Sequence, residues 1–187
     1  MSKLIVTEFV TLDGVMEAPG GEPSHPHTNW VMDFMSPEQQ QYKLDEVLEA
    51  GSHLLGRVTY ESFAGAWPER EGPMADKMQS MPKYVVSSTL AEPLAWNNST
   101  LIQGDVAGEV RKLKEQDGGP ILVAGSATLV HSLIENDLVD ELRLMVFPVM
   151  IGGGTRPFPE SRQKKTFKPT GTRTLDSGVV VQTYEPA

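Results

Sequence analysis

The first run of apolar positions, KLIVTEFVTL, is β-branched and nearly continuous from Leu4 to Leu12. A strand with one wet face alternates, so a run without alternation predicts a central strand covered on both sides. Asp13 and Gly14 end it. Residues 18–29, APGGEPSHPHTN, show no period and carry Pro, Gly and polar side chains, which reads as a long binding or lid loop. Ser36, Pro37 and Gln39 then supply an N-cap, a first-turn proline and a capping-box partner. They predict a helix over residues 37–50, closed by Gly51, with Leu44, Val47 and Leu48 as its buried stripe.

The alternation of period 2 and period 3.6 continues downstream. SHLLG predicts a short strand and RVTYESFA a helix starting at Arg57. WPEREGPMADK reads as a charged surface loop, although Met74, Met78 and Met81 are spaced like a helix face and suit a core or an interface. KYVVSSTL predicts a strand ending in Ser87, Ser88 and Thr89, and NSTLIQG another. VAGEVRKLKEQ predicts an amphipathic helix with Val110 and Leu113 inward. ILVAGSATLVHSLI is a strand to Ala124 and then a helix to about Glu135. DELRLMVFPVMIGGG alternates at Leu142, Leu144 and Val146, as a strand near the sheet edge would. The tail, KTFKPTGTRTLDSGVVVQTYE, predicts two strands joined through LDSG. Strands alternating with helices imply an α/β chain with a mainly parallel central sheet, helices on both faces and a C-terminal antiparallel hairpin. With no repeat and no linker, residues 1–187 read as one domain.

Composition narrows the function classes. The chain of 187 residues is 39% hydrophobic and 22% charged, which suits a globular domain rather than a disordered one. Its net charge of −9 repels polyphosphate backbones, so no nucleic-acid partner is expected. The absence of cysteine excludes disulfides, Cys-ligated zinc and thiol nucleophiles. MSKLIVTEFVTLDG lacks the long apolar region of a secretory leader, and no stretch nears the ~20 apolar residues of a membrane span. A cytoplasmic protein with no membrane partner is expected.

Two strand, glycine, helix joints stand out: HLLG into RVT, and ILVAG into SAT. In a parallel sheet such joints lie on the carboxyl edge, where open α/β folds bind ligands. A helix start presents unpaired N–H groups and the positive end of its dipole. Two of them aimed at one crevice could hold a diphosphate, with hydroxyls from Thr59, Ser126 and Thr128 as added donors. Simple punctuation by Gly and Ser remains the alternative. Neither GxGxxG nor a P-loop occurs.

GRVTYESF resembles the phosphate-binding helix start of dihydrofolate reductase, YVVSS its adenosine-binding strand, and ILVAGSATLVHSLI its second phosphate joint. TLDG and LVDELRLMVFPVMIGGGTRPF resemble more closely the reductase domain of the riboflavin-biosynthesis deaminase-reductase. In order and spacing the chain resembles the stand-alone dihydrofolate reductase family, or RibD C-terminal domain family, over about residues 3–185. That resemblance implies a dihydrofolate reductase-like three-layer fold, an NADPH cofactor, a small pterin-like or ribosylaminopyrimidine-like substrate and a homodimer. Gly56, Arg57, Val58 and Thr59 would face the diphosphate and ribose phosphate, and Val86, Ser87 and Ser88 the adenosine. Ala124, Gly125, Ser126, Ala127, Thr128 and Leu129 would cradle the diphosphate from the other side, with Thr11 and Gly14 toward the nicotinamide. The alternative within the same fold is a catalytically silent dinucleotide-binding protein.

Asp13, in the LDG turn, is the first catalytic candidate, as substrate anchor or proton donor; an ordinary Asp-Gly turn is the competing reading. Asp33 is a second acid candidate beside Trp30 and Phe34, which would form a substrate wall; a solvated carboxylate beside an aromatic core contact competes. Gly153, in the GGGT segment, could border the substrate. His25 and His27 lack third and fourth ligands, so no metal is expected.

Overall fold

The structure, a computed structural model, describes residues 1–158, 160 and 163–187. Eight strands form one sheet in the order β4-β3-β2-β5-β1-β6-β8-β7. Here β1 is Leu4–Thr11, β2 Ser52–Gly56, β3 Lys83–Val86, β4 Ser99–Ile102, β5 Ile121–Ala124, β6 Glu141–Phe147, β7 Phe167–Thr174 and β8 Val180–Pro186. β1 pairs in parallel with both β5 and β6, β8 runs antiparallel to β6, and β7 closes the hairpin. The non-alternating apolar run of β1 therefore does occupy the centre of the sheet.

The helices are α1 (Pro37–Glu49), α2 (Arg57–Ala66), α3 (Pro73–Ser80), α4 (Val106–Glu115) and α5 (Ala127–Glu135). Alternate residues of each strand go to opposite faces. Leu4, Val6, Leu54 and Val123 pack with Val110, Leu113, Val130 and Leu133 of α4 and α5. Ile5, Leu55, Val85 and Leu122 pack with Val47, Tyr60 and Met78 of α1, α2 and α3. A third cluster, Val15, Trp30, Phe147, Leu175 and Val181, lies at the β6 and β8 end under the segment following β1. Burying each such large apolar side chain contributes about 1.5–3 kcal/mol.

Several expectations need correction. α1 ends at Glu49 rather than at residue 50, and Leu48 is 46% exposed. Glu46 is buried beside Val47, because it accepts hydrogen bonds from Thr7, Lys43 and Arg143. Gly51 follows for close approach: a Cβ there would stand 1.6 Å from the Gly118 carbonyl oxygen. Part of the charged segment expected as a loop is α3, with Met78 and Met81 buried and Met74 packed against them. β6 is not near the edge, since β8 and β7 lie beyond it. Its Leu142, Leu144, Met145 and Phe147 are buried within the chain itself, and Val146 is half-buried.

Candidate functional site

β2 and β5 are adjacent and parallel, so their carboxyl ends open on the same rim. The two joints meet there. Ser126 Oγ accepts the Gly56 N–H at 2.9 Å and donates to Thr59 Oγ1 at 2.9 Å. Gly125 and Ser126 both take left-handed backbone, at φ 63 and 60°. A Cβ on Gly125 would sit 3.1 Å from Thr59 Oγ1, and one on Gly56 3.3 Å from Ser126. Glycine therefore lets the two helix mouths touch.

The helix mouths at this rim differ from those of α1 and α4. α1 is capped by the Ser36 side chain and α4 by Asp105. α2 and α5 have no side-chain cap, and neither has α3, which begins at Pro73. The hydroxyl of Ser126, which could have capped α5, is turned onto the neighbouring joint instead. First-turn N–H groups of α2 and α5 are left for an anion, where dipole and donors act together.

The remaining expected contacts are arranged as follows. Arg57 and Val58 are exposed at the α2 mouth, and Arg57 forms a 2.9 Å ion pair with Glu61 one turn on. Ala124 and Ala127 are half-buried, Thr128 is exposed, and Leu129 is in the core. Val86 ends β3 on the next strand of the same edge. Ser87 is buried and its Oγ accepts the Thr89 and Leu90 N–H groups, whereas Ser88 is exposed.

Beyond β1 the chain builds a strap. Asp13 accepts the Thr11 hydroxyl at 2.5 Å, the Gly152 N–H at 2.8 Å and the Ile151 N–H at 3.4 Å. The Thr11 hydroxyl, followed by those amides, holds the Asp13 carboxyl below the ordinary aspartate range. Asp13 is thus held as an ionised acceptor of these three hydrogen bonds. Gly14, at φ 84°, lies against Arg156, whose guanidinium donates to the Asp13 carbonyl at 2.7 Å. Glu17 accepts the Thr155 N–H and hydroxyl, and the first of these lowers its pKa. His25 Nε2 donates to the Gly153 carbonyl at 2.8 Å. The turn after β1, the 18–29 loop and the glycines at 152–154 are tied into one unit.

Trp30 is buried and meets Phe147 edge-on at 5.2 Å, as Phe34 does at 5.9 Å. Both belong to an aromatic cluster around a fully buried ring. Asp33 is exposed, on the 3-10 turn Met32–Phe34. The rim thus gathers the two joints, the strap gathers Thr11, Asp13, Gly14 and Gly153, and Asp33 joins neither. Sequence reasoning missed Glu8, which is buried on β1 and accepts the Gly125 N–H at 3.1 Å. A lone acid inside the apolar run IVTEFV was the available signal.

A parallel sheet with paired helix mouths on one rim and an antiparallel hairpin at its end defines a dihydrofolate reductase-like α/β protein. The chain belongs to the RibD C-terminal domain family, whose model matches residues 2–181. It is 33% identical over 187 residues to the uncharacterized protein YyaP of Bacillus subtilis (strain 168), covering 97% of this chain and 94% of that one. Its fold is similar to a putative riboflavin biosynthesis protein from Shewanella sp. PV-4, with a TM-score of 0.77, 20% identity and 99% of each chain covered. It is also similar to dihydrofolate reductase from Enterococcus faecalis complexed with NADP(H), with a TM-score of 0.64, 17% identity, and 98% and 96% covered.

Proposed function

We propose that this protein is an oxidoreductase that uses NADPH to reduce a small planar heteroaromatic compound, pterin-like or ribosylaminopyrimidine-like. The observation that carries the reading is the pair of touching helix mouths at Gly56 and Gly125, without side-chain caps, on adjacent parallel strands. Membership of the RibD C-terminal domain family and the likeness to a reductase complexed with NADP(H) support it.

NADPH supplies the hydride when bound. The residues of this chain position it: the α2 mouth from Gly56 to Thr59 and the α5 mouth from Gly125 to Leu129 hold the diphosphate between them. Val86, Ser87 and Ser88 border the adenosine. Arg57, released from Glu61, gives the 2′-phosphate a cation, which is what favours NADPH over NADH. Asp13 orients rather than protonates, fixing the turn that carries Thr11 and Gly14 against the glycines at 152–154. The aromatic cluster around Phe147 and the strap exclude water from the hydride path.

Fluorescence titration with NADPH and NADH, followed by NADPH oxidation with a panel of pterins and pyrimidines, tests the reading. Failure to bind either nucleotide overturns it, and tighter NADH binding overturns the choice of cofactor. A second reading, a dinucleotide-binding protein without turnover, is favoured by the ionised state of Asp13 and the exposure of Asp33. It predicts NADPH binding with no oxidation on any panel member. The homodimer rests on family likeness alone, and light scattering after size exclusion measures it.

A further inference from the structure

Two carboxylates are buried among the described residues, Glu8 and Glu46, and their surroundings differ. Glu46 has a lysine, an arginine and a threonine hydroxyl as partners. Glu8, at 3% exposure, has one: its Oε2 accepts the Gly125 N–H at 3.1 Å, and its Oε1 has no partner at all. It stands on the face of β1 that lies under α5, directed at the left-handed joint Gly125–Ser126.

The charges around Glu8 do not compensate it. On α1, Lys43 and Glu46 bear on it with opposite sign and are bonded to each other. The joint after β5 offers only the Gly125 amide. On β6, Glu141 and Arg143 are paired together, and on α5 His131 is bonded to the Arg156 carbonyl while Glu135 lies at the far end. Burying an ion without a countercharge is costly, and a buried carboxyl takes up a proton instead. Burial pushes the Glu8 carboxyl well above the ordinary glutamate range. Because Oε2 is the acceptor of an N–H, the proton belongs on Oε1, which has no other donor to accept from.

Resting on the cofactor reading above, we propose that Glu8 is the proton-bearing floor of the diphosphate cradle, so that nicotinamide dinucleotide binds the neutral-acid form and its binding is coupled to holding that proton. A carboxylate and a diphosphate sharing one joint repel, and the neutral acid removes that repulsion. Glu8 is on this account a positioning residue that sets the charge of the cradle.

The test is the dissociation constant of NADPH from about pH 6 to about pH 9, for the wild type and for Glu8→Gln, whose amide is a permanently neutral stand-in. The wild type is expected to weaken toward about tenfold per pH unit above the Glu8 titration, with the variant bearing no such limb. The 2′-phosphate titrates near pH 6 in both proteins and cancels in the comparison. Wild-type and variant curves that run parallel overturn the proposal. Should Glu8→Gln fail to fold, calorimetry of the wild type alone, in steps across the same pH range and in two buffers of different ionisation heat, counts the protons and finds the pH at which uptake sets in. Uptake approaching one per NADPH supports the proposal, and zero uptake overturns it while leaving the cofactor reading intact. No NADPH binding at any pH overturns both.

Discussion

Replacing His53 by leucine is expected to make the protein more stable, and more so in acid. His53 lies on β2 in the layer of α1, α2 and α3, at 1% exposure, with its ring 6.0 Å from that of Phe63. Neither ring nitrogen has a hydrogen-bond partner, and burial, followed by the charges of Lys43 and Lys83, lowers its pKa to about 3. In the unfolded chain histidine titrates near 6.5. Between those values the unfolded state binds a proton that the folded state refuses, so stability falls as pH drops from about 6.5 toward about 3. The slope approaches about 1.4 kcal/mol per pH unit, or about 2 kcal/mol between pH 6.5 and 5. At pH 7.5 that linkage is absent, but two desolvated ring nitrogens remain, each costing about 1–3 kcal/mol when unpaired. Leucine fills similar space without them. Urea unfolding of wild type and His53→Leu at pH 7.5 and 5.0 measures the difference, and groups common to both cancel. The variant should gain about 2 kcal/mol or more at the higher pH and about 2 kcal/mol more at the lower. A difference independent of pH would refute the argument that the ring is held neutral, and a less stable variant at both would refute its isolation from water.

Lys83 poses the opposite case, a fully buried ammonium that donates to the carbonyls of Met78, Gln79 and Met81 and stands 4.4 Å from the Trp96 ring. Burial lowers its pKa to about 8. From there to about 10.5 the unfolded chain holds more protons, so wild-type stability should rise with pH relative to Lys83→Met, which itself loses about 3 kcal/mol at neutral pH by stranding those carbonyls; parallel unfolding curves from pH 7 to 10 would contradict this. Gly51→Ala puts a Cβ 1.6 Å from backbone and should cost upwards of about 3 kcal/mol in denaturant melts, while Gly65→Ala, with open space around it on α2, should gain about 0.5 kcal/mol. Asp13→Asn replaces one of two acceptor oxygens, which together face three donors, by an NH2 group. Exchange at the Gly152 amide should accelerate about tenfold, loosening the strap, and an unchanged rate would show that Asp13 does not hold it.

What could be read from the sequence was local. A glycine between an apolar run and a 3.6-residue period marks a strand-to-helix joint wherever it falls, and both joints lie where that pattern put them. The hydrophobic run of β1 likewise announced a strand covered on both sides. α3 escaped because it is 8 residues long, starts at a proline and carries charges on its outer face, leaving only the spacing of three methionines to reveal it. β6 was misplaced for a different reason: its own residues say that it is a strand, but its position depends on β8 returning beyond it. Leu48 fits the stripe of α1 by spacing, yet Glu46 is the buried neighbour because Thr7, Lys43 and Arg143 come from elsewhere to satisfy it.

The candidate site divides along the same line. Its helix mouths are local motifs, whereas its strap joins partners 139 positions apart, Asp13 and Gly152, and no spacing rule connects them. The nearby Thr11 hydroxyl does most to lower the Asp13 pKa, while the Ile151 and Gly152 amides tie that carboxylate to the distant segment. Glu8 combines the two kinds of information. Its presence in an apolar run is a local anomaly, visible without coordinates, while its meaning comes from Gly125, 117 positions away, whose amide it occupies at the rim. An acid at the centre of a sheet, bonded to the joint where the proposed function puts an anion, would on that proposal have to carry a proton, since its carboxylate would repel the anion.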